Sequence, residues 1–341
     1  MNNSFKLQVI IAVLLGLLIS SCKVSKEDKV QFASKPLFRD PVFDGAADPS
    51  LVWNHTDNKW YMFYTNRRAN VDSLSDGVKW VHGTKIGIAV SDDEGLTWTY
   101  KGTCNIPYEI ENVTYWAPEV LFYKDTYHMY LTIVPGIFDN WSHPRYIIHL
   151  TSKDLNTWEY QSKLELASDK CIDACVFQLP NGNWRMYYNN ERDHKSIYYA
   201  DSPDLYTWKD SGEKIIGDER GEGPTVFQWH DTYWMIIDNW KGLGVYQSND
   251  MHSWKRQPDM ILDKPGTGED DMVIGQHPDV VVADDGKAYI FYFTHPDRRE
   301  VEEEPETWNP KRSSIQVAEL EYSEDGQITC DRNKPVSPKL K

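Results

Sequence analysis

Aromatic and apolar residues in this chain gather in short runs that recur at a regular interval and show no helical spacing. NKWYMFYT, DTYHMYLT, GNWRMYYN, DTYWMIID and GKAYIFYFT each follow a polar turn. Each turn is preceded by a strand-like start: Ala47–Val52, Ala117–Phe122, Asp173–Phe177, Gly223–Phe227 and His277–Val281. A third set of β-prone runs follows, Ile86–Val90, Tyr146–Leu150, Ile197–Ala200 and Gly244–Gln247, with Ile315–Leu320 and Gln327–Cys330 completing the fifth repeat. Four of these runs lead into a Ser-x-Asp turn ending in tryptophan: Ser91–Trp98, Ser152–Trp158, Ser202–Trp208 and Ser248–Trp254. Such turns cap their own backbone and leave the indole to pack between blades, so they are read as structure. Self-similarity near fifty residues built from strands alone predicts an all-β fold, a single five-bladed β-propeller over residues 37–333 with a tail at 334–341.

Radial symmetry carries equivalent positions of each blade to equivalent places around one axis. The residue before the repeat proline, or before Ala174 in the third repeat, is Asp48, Ala117, Asp173, Gly223 and His277, and Glu222 stands beside the fourth. Three carboxylic acids and a histidine are therefore expected in one funnel.

The 341 residues are 13% aromatic, with 14 Trp and 20 Tyr, enough for one large core. The formal net charge of -16 speaks against nucleic acid or an anionic membrane surface as partner. Lys6, an apolar run from Leu7 to Leu18, and Ile19-Ser20-Ser21-Cys22 resemble a bacterial lipoprotein signal. That resemblance implies removal of residues 1–21, lipidation of Cys22, and an exported protein anchored to the bacterial outer membrane, on its periplasmic or its outer face. An ordinary secretory signal or a short membrane anchor is the alternative. Residues 22–36, rich in lysine and acid, read as a solvated tether. Cys171 and Cys175 flank Asp173 and would lie about 13 Å apart in a strand, so they and Cys104 and Cys330 are read as packed thiols.

Three carboxyl groups in an aromatic funnel suit cleavage of a glycosidic bond. One must protonate the leaving oxygen, one activates water, and a third charge can tune the first. The motifs Ala47-Asp48-Pro49, Trp116-Ala117-Pro118-Glu119, Ile172-Asp173-Ala174 and Glu222-Gly223-Pro224 resemble the blade starts of glycoside hydrolase family 43. The resemblance covers nearly the whole mature chain and implies a five-bladed propeller that inverts the anomeric centre. It implies Asp48 as general base, Glu222 as general acid, and Asp173 as the residue that tunes the acid and orients substrate. His277 matches a central-channel histidine that contacts water or calcium in many members. No cofactor is required on this reading, and a structural Ca2+ reached by His277 through water is left open. Ala174, where the family often has proline, is a departure.

Trp116, His277 and Arg298 are further candidates for contact with an oligo- or polysaccharide. Glu119 follows its proline and, by strand alternation, should turn away from Asp48 and Asp173 to bond backbone or an arginine. The step from residue 48 to residue 117 is 69 residues against 50 to 56 for the others. The extra length lies in loop 67–84, which should partly wall the funnel into a pocket suited to exo action, and sugar identity should depend on loops such as 67–84 and 135–144. The expected reaction is therefore inverting exo-hydrolysis of terminal α-L-arabinofuranosyl or β-D-xylosyl units from plant cell-wall polysaccharides. An exo-β-galactosidase of the same fold and a non-catalytic surface glycan-binding propeller are the alternatives. Ser91–Trp98 also fits the Asp-box of six-bladed sialidases, but five blade starts with few aligned arginines oppose that reading. A mannoside phosphorylase would want a basic cluster for phosphate, and none is evident along the chain.

Overall fold

Twenty strands form five antiparallel four-stranded sheets in a computed structural model that describes residues 30–74, 76–108, 110–301 and 304–341. The signal at 1–21, Cys22 and most of the tether fall outside the described residues. Blade 1 is β1 (Ala46–Asn54), β2 (Lys59–Asn66), β3 (Lys85–Ser91) and β4 (Thr99–Thr103). Blade 2 is β5 (Thr114–Tyr123), β6 (Thr126–Val134), β7 (Tyr146–Ser152) and β8 (Trp158–Lys163). Blade 3 is β9 (Cys171–Gln178), β10 (Trp184–Asn190), β11 (Ser196–Ser202) and β12 (Lys209–Ile216). Blade 4 is β13 (Glu222–Trp229), β14 (Thr232–Asp238), β15 (Leu243–Ser248) and β16 (Lys255–Arg256). Blade 5 is β17 (Gln276–Val282), β18 (Ala288–Thr294), β19 (Ser314–Tyr322) and β20 (Ile328–Thr329). The first strands touch in cyclic order, β1 to β5, β9, β13, β17 and back to β1. The fold is the five-bladed propeller that the repeats predict.

Burial explains the sequence pattern of each strand. A middle strand is covered on both faces by neighbouring blades, so β2, β6, β10, β14 and β18 are buried almost continuously rather than on alternate residues. At the outer edge, β4 alternates between exposed and half-buried positions. The apolar clusters sit at the seams. Phe63 and Ile88 meet Leu131 and Trp158 between blades 1 and 2, while Phe227 and Trp234 meet Ile290 and Leu320 between blades 4 and 5. Residues on either side of 37–333 join the seam between blades 5 and 1. Ala33 donates its N–H to the Val336 carbonyl at 2.8 Å, and Val336 and Leu340 are buried beside Phe291 and Trp98. Phe38 bridges Ile315 and Gly45 bridges Ser313, tying the chain start to β19. The Ser-x-Asp turns are self-capped: Asp154 accepts the N–H groups of Asn156 and Thr157, and Asp204 and Asp250 repeat the pattern. The four described cysteines are free.

Two rings of equivalent positions surround the axis. In the first, the side chain one residue past the repeat proline accepts a backbone N–H from the next blade. Ser50 holds Val120 at 3.0 Å, Glu119 holds Val176 at 2.9 Å, Cys175 holds Val226 at 3.2 Å, and Asp279 holds Leu51 at 2.7 Å, so four of the five seams carry this bond. Glu119 thus bonds backbone, one of the two roles that alternation assigns to it.

The second ring is the position before the proline. Every inner strand slips register there, and the backbone turns left-handed, with φ of 52° at Asp48, 41° at Ala117, 58° at Asp173, 56° at Gly223 and 29° at His277. Positive φ costs a non-glycine residue energy, and bulges of this kind re-aim a side chain. Five repetitions of one bulge turn the same position of every blade, and three of those residues, Asp48, Asp173 and His277, line one cavity.

Candidate active site

Asp48, Asp173, Glu222, Trp116, His277 and Arg298 all line one cavity of about 610 Å³, so the structure brings together every sequence-derived candidate within the described residues. Cys22, the lipidation candidate, lies outside them. Asp48 and Asp173 come from the bulges of β1 and β9. Glu222 stands one residue ahead of the equivalent position, because the left-handed place in blade 4 is taken by Gly223. A Cβ on Gly223 would meet the His277 ring at 2.6 Å, so close packing as well as φ restricts this position to glycine.

The three carboxyl groups have different surroundings. Asp48 is 6% exposed, and its two oxygens accept from one amine of Arg67 at 3.0 and 3.2 Å, with His277 Nδ1 at 3.4 Å. Burial alone would raise its pKa, but the charges of Arg67 and His277 and hydrogen bonds from Thr65 and Arg67 together outweigh burial and hold it below the usual carboxylate range. Asp173, equally buried, accepts the Gly223 N–H at 3.1 Å. Burial first, then the charges of Glu222 and Asp48, push it well above the usual range. Glu222 accepts from Trp240 Nε1 at 2.9 Å and from the Lys195 ammonium at 3.0 Å. Asp173 is thus a raised carboxyl hydrogen-bonded to the residue that follows Glu222.

A second layer holds these groups. Lys195 also reaches Glu191 at 2.9 Å, and Glu191 pairs with Arg145 at 2.5 Å. Arg67 donates its other amine to His295 Nε2 at 3.1 Å, which makes that nitrogen an acceptor, so Nδ1 carries the proton and donates to the Arg312 carbonyl at 2.6 Å. Asp238, paired across the sheet with Glu222, accepts the N–H groups of Trp240 and His277. Burial and the Glu222 charge push Asp238 up to about 7.

Arg67, Glu191, Trp240 and His295 escape sequence reasoning, yet they obey the same symmetry. Across the bulge, Ala47 pairs with Thr65, Ile172 with Asn189, Glu222 with Asp238 and Gln276 with Phe293. These four each lie two positions past that partner and line the cavity, whereas Arg145, Lys195 and Arg220, also missed, line it without sharing that position. Aligning the ends of the second strands would have found the first four.

One wall is aromatic. Trp116 donates Nε1 to the Val81 carbonyl at 2.6 Å, stands edge-on to His82 at 5.2 Å, and lies 5.9 Å from Trp141. Trp141 is half exposed, and Arg145 lies over the Trp116 ring at 5.3 Å. Loop 67–84 supplies Trp80 and Val81, loop 135–144 supplies Trp141, and the two loops are joined by Val78 N–H to the Asp139 carbonyl at 3.1 Å.

At His277, where a calcium reached through water is left open, Nδ1 faces Asp48 and the backbone N–H donates to Asp238, and Ca2+ itself takes six to eight oxygen ligands. Among the described residues no group of three or more His, Cys, Asp or Glu side chains is placed to hold a metal.

A five-bladed propeller with paired and separately tuned carboxyl groups at its mouth defines a glycosidase-type site. The family model for glycosyl hydrolases family 43 matches residues 103–328, and the chain belongs to that family. It is a glycoside hydrolase. Among solved structures, a thermostable family-43 glycoside hydrolase is 20% identical over 88% of this chain and 99% of its own, with a TM-score of 0.62. A family-43 β-1,3-galactosidase solved with galactodeoxynojirimycin is 15% identical over 89% and 100%, with a TM-score of 0.66. A family-43 β-xylosidase/α-arabinofuranosidase from a compost microbial metagenome, solved with xylotriose in a calcium-free form, is 16% identical over 87% and 96%, with a TM-score of 0.59. At these identities the likeness speaks for the fold alone. No curated protein matches the chain in sequence.

Proposed function

We propose that this hydrolase releases terminal α-L-arabinofuranosyl or β-D-xylosyl units from plant cell-wall polysaccharides or their oligosaccharides, with inversion at the anomeric carbon. The observation that carries the reading is the convergence of Asp48, Asp173 and Glu222, from three blades, on one cavity. Glu222 gives its proton to the glycosidic oxygen as the C–O bond breaks. Asp48, kept ionised by Arg67, takes a proton from the water that attacks the opposite face of the sugar. Asp173 holds the Gly223 peptide and so the direction of Glu222, and its like charge opposes loss of the acid's proton whenever Asp173 ionises.

Exo action is supported by the joined loops, which build a wall over one side of the funnel, and by a volume in the range of pockets that enclose a small ligand. The Trp116 and Trp141 rings offer apolar faces for sugar stacking. Export and lipid anchoring at Cys22 belong to the same proposal and rest on the N-terminal sequence. The test is incubation with aryl α-L-arabinofuranoside, aryl β-D-xyloside and aryl β-D-galactoside, with proton NMR of the first anomer released from whichever is cleaved. Pentose release with inversion is expected. Galactose release would transfer the assignment to an exo-β-galactosidase, and retention of configuration would remove Asp48 from the base role.

A further inference from the structure

The whole chain is strongly acidic, yet five cations line this cavity: Arg67, Arg145, Lys195, Arg220 and Arg298. The basic cluster that is not evident along the sequence is assembled by the fold. Three of the five have carboxylate partners: Arg67 on Asp48, Arg145 on Glu191, and Lys195 on Glu191 and Glu222. Arg298 and Arg220 have none among the described residues. Arg298 donates Nε to the Pro310 carbonyl at 3.0 Å, and Arg220 lies over the Trp240 ring at 5.6 Å. Burial and the charge of Arg67 lower Arg298 to about 10, so it still carries its charge at any working pH, and two guanidinium groups repel one another at the Asp48 end of the cavity.

The reaction itself leaves the surplus in place. The transfer of the Glu222 proton to the leaving oxygen concerns only the three paired cations, so Arg298 and Arg220 remain as lining charges with no carboxylate against them. A neutral pentose gives no return for that arrangement, because hydroxyl groups can be held by uncharged donors. Low-dielectric walls focus such a field on whatever anion enters. Unpartnered guanidinium groups are built to bind carboxylate or sulfate oxygens through charge-assisted hydrogen bonds.

We propose that the glycan entering this cavity carries an anionic substituent, a uronate carboxylate or a sulfate ester, close to the cleaved unit, and that Arg298 or Arg220 receives it. This rests on the glycosidase reading above and adds the substrate class. The two arginines stand at different ends: Arg298 near Arg67 and His295 on the base side, Arg220 near Trp240 and Glu222 on the acid side.

The test uses the full chain and matched pentose oligosaccharides in neutral, uronate-bearing, carboxyl-reduced and O-sulfated forms, with kcat/KM measured at low salt and at about 1 M NaCl, where the Debye length is roughly 3 Å. The expected result is a preference of about tenfold or more for a charged form over its neutral partner, weakened by salt. Uronate or sulfate is identified by which form responds. The preference ratio should fall in Arg298→Gln, Arg220→Gln or both, and the variant with the larger fall locates the anion. Salt and substrate series on the unmodified enzyme decide the matter even if a variant folds poorly. Hydrolysis of neutral and charged forms at equal kcat/KM would overturn the inference while leaving the glycosidase reading intact. Turnover that needs inorganic phosphate and yields a sugar 1-phosphate would assign the cations to a free co-substrate and overturn it too. Failure to cleave any form would sink the exo-pentosidase reading, and this inference with it.

Discussion

Arg67 grips both oxygens of Asp48 through a single amine, at 3.0 and 3.2 Å, and hands its other amine to a neutral His295. A general base must be ionised to work, and a carboxyl this deeply buried would otherwise rise. The arginine therefore sets the acid limb of the pH profile. In the intact enzyme Asp48 lies below its usual value, so kcat/KM should persist into acid. Arg67→Met removes the strongest of the interactions that together offset burial, and the acid limb should move up by roughly one to three pH units, the span typical of a lost opposite charge. A pH profile of kcat/KM on a neutral aryl glycoside measures this directly. An unmoved limb would mean that Asp48 is not the titrating base.

Glu222 and Asp48 should separate by leaving group. Glu222→Gln removes the proton donor and keeps one carbonyl oxygen, an acceptor for Trp240 or for Lys195 but not for both. Hydrolysis of an alkyl or sugar leaving group should then fall by roughly 100- to 10,000-fold, the usual contribution of acid–base catalysis, while an activated dinitrophenyl glycoside keeps most of its rate. Asp48→Asn should lower both, since water activation is needed whatever departs. Comparing kcat on the two substrate types for each variant distinguishes the roles, and equal losses in Glu222→Gln would reject it as the acid.

The fold and the acids were legible because proline marks the bulge in four of five repeats, which fixes where Asp48 and His277 point, while Asp173 was legible through the alignment of its repeat, where Ala174 stands in the place of the proline. Glu222 was legible only through Gly223, its neighbour at the left-handed place. Arg67, Glu191, Trp240 and His295 carry no such mark. They differ in chemistry, and their common feature is a position two residues past a cross-strand partner, which becomes visible only when the register is known. Asp238 is hidden for a related reason: its pull toward about 7 comes from burial and from Glu222 opposite it, and neither is local in sequence.

Gly223 offers a test of how far the geometry depends on the bulge. Gly223→Ala would place a methyl 2.6 Å from the His277 ring at a φ of 56°. Either the ring shifts away from Asp48 or the Asp173 contact to the Gly223 N–H opens. The expected outcome is a loss of kcat of about tenfold or more, from misplacement of the acid by a fraction of an ångström to an ångström, with KM changed less. Destabilisation should stay near the roughly 1–3 kcal/mol of a strained backbone position. Steady-state kinetics beside thermal unfolding separates the two, and wild-type kcat in a stable variant would show that the bulge tolerates a side chain.

Glu119, in the ring that links the blades, predicts how stability follows pH. It accepts the Val176 N–H, and burial followed by the charge of Asp279 raises it to about 8, far above an unfolded glutamate near 4.5. The folded protein thus binds a proton at this site that the unfolded chain has released. Its contribution is complete below about pH 4.5 and is lost as pH rises through about 8, amounting to a few kcal/mol at most. Asp279, raised by burial to about 6, contributes in the same sense over a lower window. Glu119→Gln keeps the volume and the acceptor for Val176 but has no proton to lose. Its urea midpoint should match the unmodified protein near pH 5 and exceed it near pH 8.5. A variant that is less stable at both pH values would mean that Glu119 is ionised in the folded ring.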